Sequence, residues 1–122
     1  MDPKRPHENL IVWQKSIDLV KEIYSLCNKL PRNEEFGLVS QLKRASVSIP
    51  TNIAEGAARN TKKEFINFLY ISLGSLSEIE TLLLISKELV LITEIDYKNY
   101  MNKTNKINIM LNGLIRNLKS KS

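Results

Sequence analysis

The sequence predicts an all-α fold, an antiparallel up-down-up-down four-helix bundle, and three observations carry that prediction. Apolar residues recur every three or four positions through four segments, the spacing of one helical face. No stretch alternates with a period of two for long enough to read as a strand. The segments are joined by short connections marked by Pro31, by Gly56 to Arg59, and by Thr93, and short connections make consecutive helices antiparallel neighbours. A chain of 122 residues suits one domain spanning 1–122, with helices at roughly 9–30, 34–58, 62–90 and 94–119.

In the first segment Leu10, Trp13, Ile17, Val20, Tyr24 and Cys27 form one stripe, and Pro31, which cannot continue the hydrogen-bond ladder, ends the helix. Asn33 followed by Glu34 and Glu35 offers a cap and negative charge for the second helix. Its stripe is Leu38, Leu42, Ala45, Ile49 and Ile53. Pro50 interrupts that stripe chemically, and two conformations fit. Either the helix stops near Ile49 and restarts with Asn52 and Glu55 as a capping box, or it continues with a kink at Pro50. The stripe from Ile49 to Ile53 shows no phase slip, which favours the kinked, continuous helix. An interior proline costs about 3 kcal/mol relative to alanine, and Ser46, Ser48, Thr51 and Asn52 can serve the freed backbone groups.

The third segment opens on "TKKE", where Thr61 caps and Glu64 reaches back. Phe65, Leu69, Ser72, Leu76, Ile79 and Leu83 then line one face. Ile66, Phe68, Tyr70, Ile71, Leu73, Leu82, Leu84 and Ile85 spread further apolar surface around the circumference, beyond the stripe a bundle member needs. Surplus apolar surface predicts a homo-oligomer with this helix in the interface. Gly74 in mid-helix costs about 1 kcal/mol relative to alanine, which predicts the close approach of another backbone, with the small residues of the second helix facing it. "TEID" starts the fourth helix, and Tyr97, Tyr100, Thr104, Ile107, Leu111, Leu114 and Leu118 keep its face.

Composition excludes more than it selects. Hydrophobic residues at 43% with 25% charged residues argue against wholesale disorder. Cys27 is the one cysteine, read as a small core residue, and His7 is the one histidine, in a Pro- and Arg-containing N-terminal segment. These leave no metal site, no cofactor motif, no glycine-rich phosphate loop and no catalytic set, so an enzyme is not expected. The N-terminal "MDPKRPHENL" has no apolar signal core and no run of eighteen apolar residues occurs, so the expectation is a cytoplasmic protein without a membrane partner.

The net charge of +5 is unevenly placed. The residues after Asp96 hold six Lys/Arg and no acid, whereas the rest hold 12 Lys/Arg against 13 Asp/Glu. Lys98, Lys103, Lys106, Arg116 and Lys119, with Lys121, predict a positive surface on the fourth helix, and Arg59, Lys62 and Lys63 a second cluster at the turn before the third. Such clusters attract polyanions, so RNA or DNA is a candidate partner. Without a base-reading motif or an aromatic platform, binding would be directed at the nucleic-acid backbone. Antiparallel register about the turn near Asn60 brings Arg44 level with Glu78 or Glu80, and i,i+4 spacing pairs Glu55 with Arg59. Arg44, Glu55, Glu78 and Glu80 are therefore expected as structural or oligomer ion pairs, not a catalytic group.

The segments "LIVWQKSIDLVKEIY", "FGLVSQLKRASVSIPTNIAEGAAR" and "KEFINFLYISLGSLSEIETLL" resemble the four-helix-bundle proteins named for intervening sequences in 23S ribosomal RNA genes, also labelled S23 ribosomal proteins. The resemblance runs from Asn9 to Leu118. It is most specific at Gln41-Leu42, Arg44-Ala45, Ser48-Ile49, Asn52 to Gly56, Arg59, and Gly74-Ser75-Leu76 with Glu78 and Glu80. It departs at Lys43, where arginine is common, and at Ala57-Ala58, where an aromatic residue and glycine often stand. The resemblance implies an antiparallel four-helix bundle assembled as a barrel-like homopentamer. It is similar, too, to the accessory variability protein of diversity-generating retroelements, which implies nucleic-acid binding and a reverse transcriptase or other protein partner. The ribosomal label implies association with the ribosome as an alternative.

Overall fold

A computed structural model describes residues 4–121, and its four long helices pack side by side as a bundle. Helix α1 spans Ile11–Cys27, α2 Ser40–Ala57, α3 Lys62–Glu88 and α4 Glu94–Ser120, and no strand occurs among the described residues. Contacts between helices pair rising numbers with falling ones. The Ser72 hydroxyl donates to the Ile49 carbonyl at 3.0 Å, and Ser75 and Ser48 hydroxyls meet at 2.8 Å, so α2 and α3 run antiparallel. Lys103 beside Glu22 and Lys29 beside Asp96 give α1 and α4 the same relation.

The ends of the helices follow local chemistry. Thr61 accepts the Glu64 amide at 3.1 Å while its hydroxyl donates to the Glu64 carboxylate at 3.0 Å, and Thr93 accepts the Asp96 amide at 3.0 Å. The start of α2 differs from the sequence expectation. Residues Arg32–Glu34 form a 3-10 turn and Glu35–Val39 a π turn, so the α-helix begins at Ser40. Gly37, at φ −108° and ψ −108°, takes a backbone shape outside the helical region, and the Glu34 carboxylate, not Asn33, accepts the Leu38 amide. The α3–α4 connection ends α3 in a Schellman turn, with Leu91 N–H bonded to the Ser86 carbonyl and Val90 N–H to that of Lys87. Its left-handed position is held by Val90, φ 60°, where glycine is usual.

Helix α2 continues through Pro50. The short polar side chains around it bond the preceding carbonyls: Thr51 Oγ1 lies 3.0 Å from the Val47 carbonyl and Asn52 donates to that of Ser48 at 2.8 Å.

The core takes the expected residues of α2, α3 and α4, including Leu42, Ile49, Ile53, Leu69, Leu76, Ile79, Leu83, Tyr100, Ile107 and Leu111. Helix α1 is a correction. It buries Cys27 as expected, but otherwise Val12, Ser16, Leu19, Ile23 and Leu26, one position away from the expected stripe. Trp13, Ile17 and Val20 instead line a groove against α2, and Tyr24 is exposed. Both stripes are apolar, and Ser16 hides in the inner one by returning its hydroxyl to the Trp13 carbonyl at 2.7 Å. Gly74 is a second correction: nothing lies within 4 Å of the position its Cβ would take. The close approach belongs to Gly56, where a Cβ would sit 2.7 Å from that of Phe68.

By length and composition alone α3 could also cross a membrane. Here it packs between α2 and α4, with the Glu80 carboxylate 2.9 Å from the buried Thr104 hydroxyl. Burial raises the pKa of the Cys27 thiol, against a lowering by Lys43, and Cys27 approaches the Val39 carbonyl at 3.9 Å. Burial also raises that of Tyr100, reinforced by the negative charges of Glu22 and Asp96.

Candidate nucleic-acid interface

The antiparallel bundle brings the C-terminal ends of α2 and α4 beside the N-terminal end of α3. Arg59 follows α2, Lys62 and Lys63 open α3, and Lys119 and Lys121 close α4, so cations 59 residues apart in sequence share one end of the molecule. The Lys62 ammonium donates to the Lys121 carbonyl at 2.7 Å, and that of Lys119 to the Tyr70 hydroxyl at 2.9 Å. Cations suit the carbonyl-rich ends of α2 and α4; Lys62 and Lys63, at the start of α3, are placed against the helix dipole there. Their positive charge is therefore not explained by the helix on which they sit.

Two aromatic rings lie beneath these cations. The Arg59 guanidinium stands 4.9 Å from the centre of the Phe68 ring, and the Lys119 ammonium 5.5 Å from that of Tyr70. Tyr70 is exposed and Phe68 half-buried. The sequence reading saw no aromatic platform, because both rings were counted with the surplus apolar surface of α3. Their i,i+2 spacing puts them on different sides of the helix, one toward each cationic neighbour. Carboxylates are present too: Glu55 lies 3.6 Å from Arg59, the expected i,i+4 pair, and Glu64 is engaged by Thr61.

The other expected cations are dispersed. Lys98 sits in the first turn of α4, 4.0 Å from Glu94, at the opposite end of the bundle. Lys103 turns toward α1 and pairs with Glu22 at 3.8 Å, while Lys106 borders the α1–α4 groove. Arg116 is exposed near the basic end, so the single positive surface expected along α4 divides into a basic end and a partly neutralised flank. Length along the helix and pairing account for this: Lys98 and Lys119 stand about 31 Å apart along α4, while Lys103 and Lys106 both turn toward α1.

The ion pairs expected of Arg44 are also corrected. No ion pair joins Arg44 to Glu78 or Glu80 among the described residues. Arg44 and Glu78 line one shallow polar pocket with Gln41, Ser48 and Ser75, and Arg44 reaches the Ser40 hydroxyl at 3.5 Å. Glu80 faces α4 instead, because two residues past Glu78 is 200° around the helix.

Fold and site together define a class: small helical bundles with a cationic, aromatic-backed end and an outward face of α3 left partly apolar. Within that class, the chain belongs to the 23S rRNA-intervening sequence protein family, whose profile matches residues 8–113. It is similar to the crystal structure of a protein of unknown function of the S23 ribosomal protein family from Bacteroides thetaiotaomicron VPI-5482. That likeness has a TM-score of 0.80 at 30% identity, over 86% of this chain and 98% of the other. No curated protein matches the chain.

Proposed function

We propose that the chain is a non-enzymatic, self-associating helical-bundle protein that holds the sugar–phosphate backbone of RNA or DNA against its basic end. The observation that carries the nucleic-acid reading is the convergence of Arg59, Lys62, Lys63, Lys119 and Lys121, joined by the Lys62–Lys121 hydrogen bond. Guanidinium and ammonium groups serve phosphate oxygens without regard to sequence, and Tyr70 offers a ring on which an unpaired base can stack. Self-association is supported by α3, along which Ile71, Leu84 and Ile85 stay exposed and Gly74 is uncovered.

Fluorescence anisotropy with labelled single-stranded RNA, titrated with salt, tests this reading. Each phosphate neutralised contributes about −0.7 to the slope of log K against log salt for a single strand, so replacing Arg59, Lys62 and Lys63 together by alanine reduces that slope by about 2. Absence of binding at about 50 mM salt, with the assembly intact, refutes it. A second reading, a protein scaffold whose charges serve solubility, draws support from Phe36, Val90 and Ile95. They are 92%, 85% and 79% exposed at the end away from the basic cluster. A protein partner retained after nuclease treatment favours it.

A further inference from the structure

Two identical spacings face each other across the seam between α1 and α4. Lys15, Asp18, Leu19 and Glu22 stand at i, i+3, i+4 and i+7 on α1, as do Lys103, Lys106, Ile107 and Met110 on α4, so each set forms one stripe. The two stripes, with Lys21 at the rim, line a cleft of about 450 Å³. Its floor is apolar: Leu19 and Ile107 are buried and Met110 is half-buried. Its walls are charged. The Lys103 ammonium meets the Glu22 carboxylate at 3.8 Å. Lys15, Lys21, Lys106 and Asp18 are exposed and make no ion pair among the described residues. The Lys103–Glu22 and Lys29–Asp96 pairs fix the antiparallel register, which sets Asp18 level with Ile107 and one residue from Lys106. Acid and base thus face each other across the cleft without bridging it.

We infer that this cleft binds a nucleoside monophosphate, free or as the 5′ end of a strand. Three kinds of group are present, and such a molecule has a part for each. The phosphate meets the ammonium groups of Lys15, Lys21 and Lys106, point charges on stems long enough to converge from both helices. The base lies on Leu19 and Ile107, with the Met110 thioether at the ring edge. The ribose hydroxyls donate to Asp18, whose carboxylate accepts only. Simpler ligands fit worse. Inorganic phosphate leaves the apolar floor in water and is repelled by Asp18, a fatty acid brings Asp18 no donor, and a polyamine meets three ammonium groups. The volume lies within the range of about 300–1,000 Å³ usual for small-molecule sites.

This site goes beyond the backbone binding proposed above. Lys106 and Lys119 stand about 20 Å apart along α4, and no cation of the basic end lines the cleft. Either reading therefore fails without the other.

Equilibrium dialysis of the full chain against radiolabelled AMP tests the assignment. One AMP per chain is expected, with adenosine and inorganic phosphate each at least about tenfold weaker as competitors, since each keeps only part of the contacts. A partly exposed ion pair contributes up to about fivefold, so Lys15→Gln and Lys106→Gln together are expected to weaken AMP by about tenfold. Asp18→Ala is expected to narrow the preference for AMP over inorganic phosphate, a readout that a general loss of structure does not move. A 5′-phosphorylated RNA strand that displaces AMP where its 5′-hydroxyl counterpart does not marks the occupant as a strand end. Displacement by neither strand marks it as the free nucleotide. Displacement by both overturns the assignment, as does phosphate competing as well as AMP, or Lys62→Gln weakening AMP as much as Lys106→Gln does. A parent chain that retains no AMP also overturns it, whether or not RNA binds at the basic end.

Discussion

Gly56→Ala adds a single methyl group where α2 and α3 approach closely. Its Cβ would stand 2.7 Å from Phe68 Cβ, 3.0 Å from Phe65 Cδ1 and 3.2 Å from the Phe65 carbonyl oxygen. Carbon atoms pack best at about 3.5–4.0 Å, and neither a Cβ nor a carbonyl can swing aside, so the α2 and α3 backbones must part by roughly 1 Å. Overpacking of this kind costs about 1–3 kcal/mol, against a helix-propensity gain of about 1 kcal/mol, so the expected net loss is about 0–2 kcal/mol. The same substitution at Gly74 meets nothing within 4 Å, and in a background where Ile71→Glu disrupts the exposed apolar face of α3 it is expected to stabilise the chain by about 0.5–1 kcal/mol. Urea unfolding followed at 222 nm, with all variants in that background and at one protein concentration, measures both. A Gly56→Ala variant more stable than its parent refutes the packing argument, and destabilisation by Gly74→Ala refutes the claim that its surroundings are open.

Val90 holds the left-handed position of the Schellman turn with its side chain 85% exposed, so Val90→Gly relieves a steric cost of about 1–2 kcal/mol without emptying the core. A thermal midpoint raised by a few degrees is the expected result. Stability should also fall at alkaline pH. Burial raises the pKa of both Cys27 and Tyr100, so the folded chain keeps protons that the unfolded chain loses. Their contribution is complete below the ordinary thiol range near ~8.5 and is lost as pH climbs through the raised folded values. Denaturation midpoints at neutral and alkaline pH measure the decline, which Tyr100→Phe should flatten, and Cys27 should resist alkylation until the protein unfolds.

Long stripes such as Leu42-Ala45-Ile49-Ile53 and Tyr100-Thr104-Ile107-Leu111 were legible because one helical period selects one face. Helix α1 was harder to read. It carries two adjacent apolar stripes, and only the positions of α2 and α4 decide that the Val12–Leu19–Ile23 side turns inward and leaves Trp13, Ile17 and Val20 in a groove. Glycine posed a similar difficulty: a Gly in a helix announces its cost locally, but not which neighbour, if any, comes close. At the basic end Arg59, Lys62 and Lys63 stood together in sequence, whereas their meeting with Lys121, and the rings of Phe68 and Tyr70 beneath Arg59 and Lys119, depended on the packing of α3 against α2 and α4.

By itself, then, the sequence determined the number of helices, their Thr61 and Thr93 starts, most of the core and the family. These follow from local periodicity and from short-range hydrogen bonds. Tertiary structure alone decided which stripe of α1 is buried, which glycine is crowded, that Glu80 serves Thr104 while Arg44 and Glu78 stay unbridged, and which cations gather at one end. The gathering of cations depends on the antiparallel course of the helices, and the other outcomes on the rotation of one helix against another, where about 100° per residue lets a shift of one or two positions exchange core, groove and solvent.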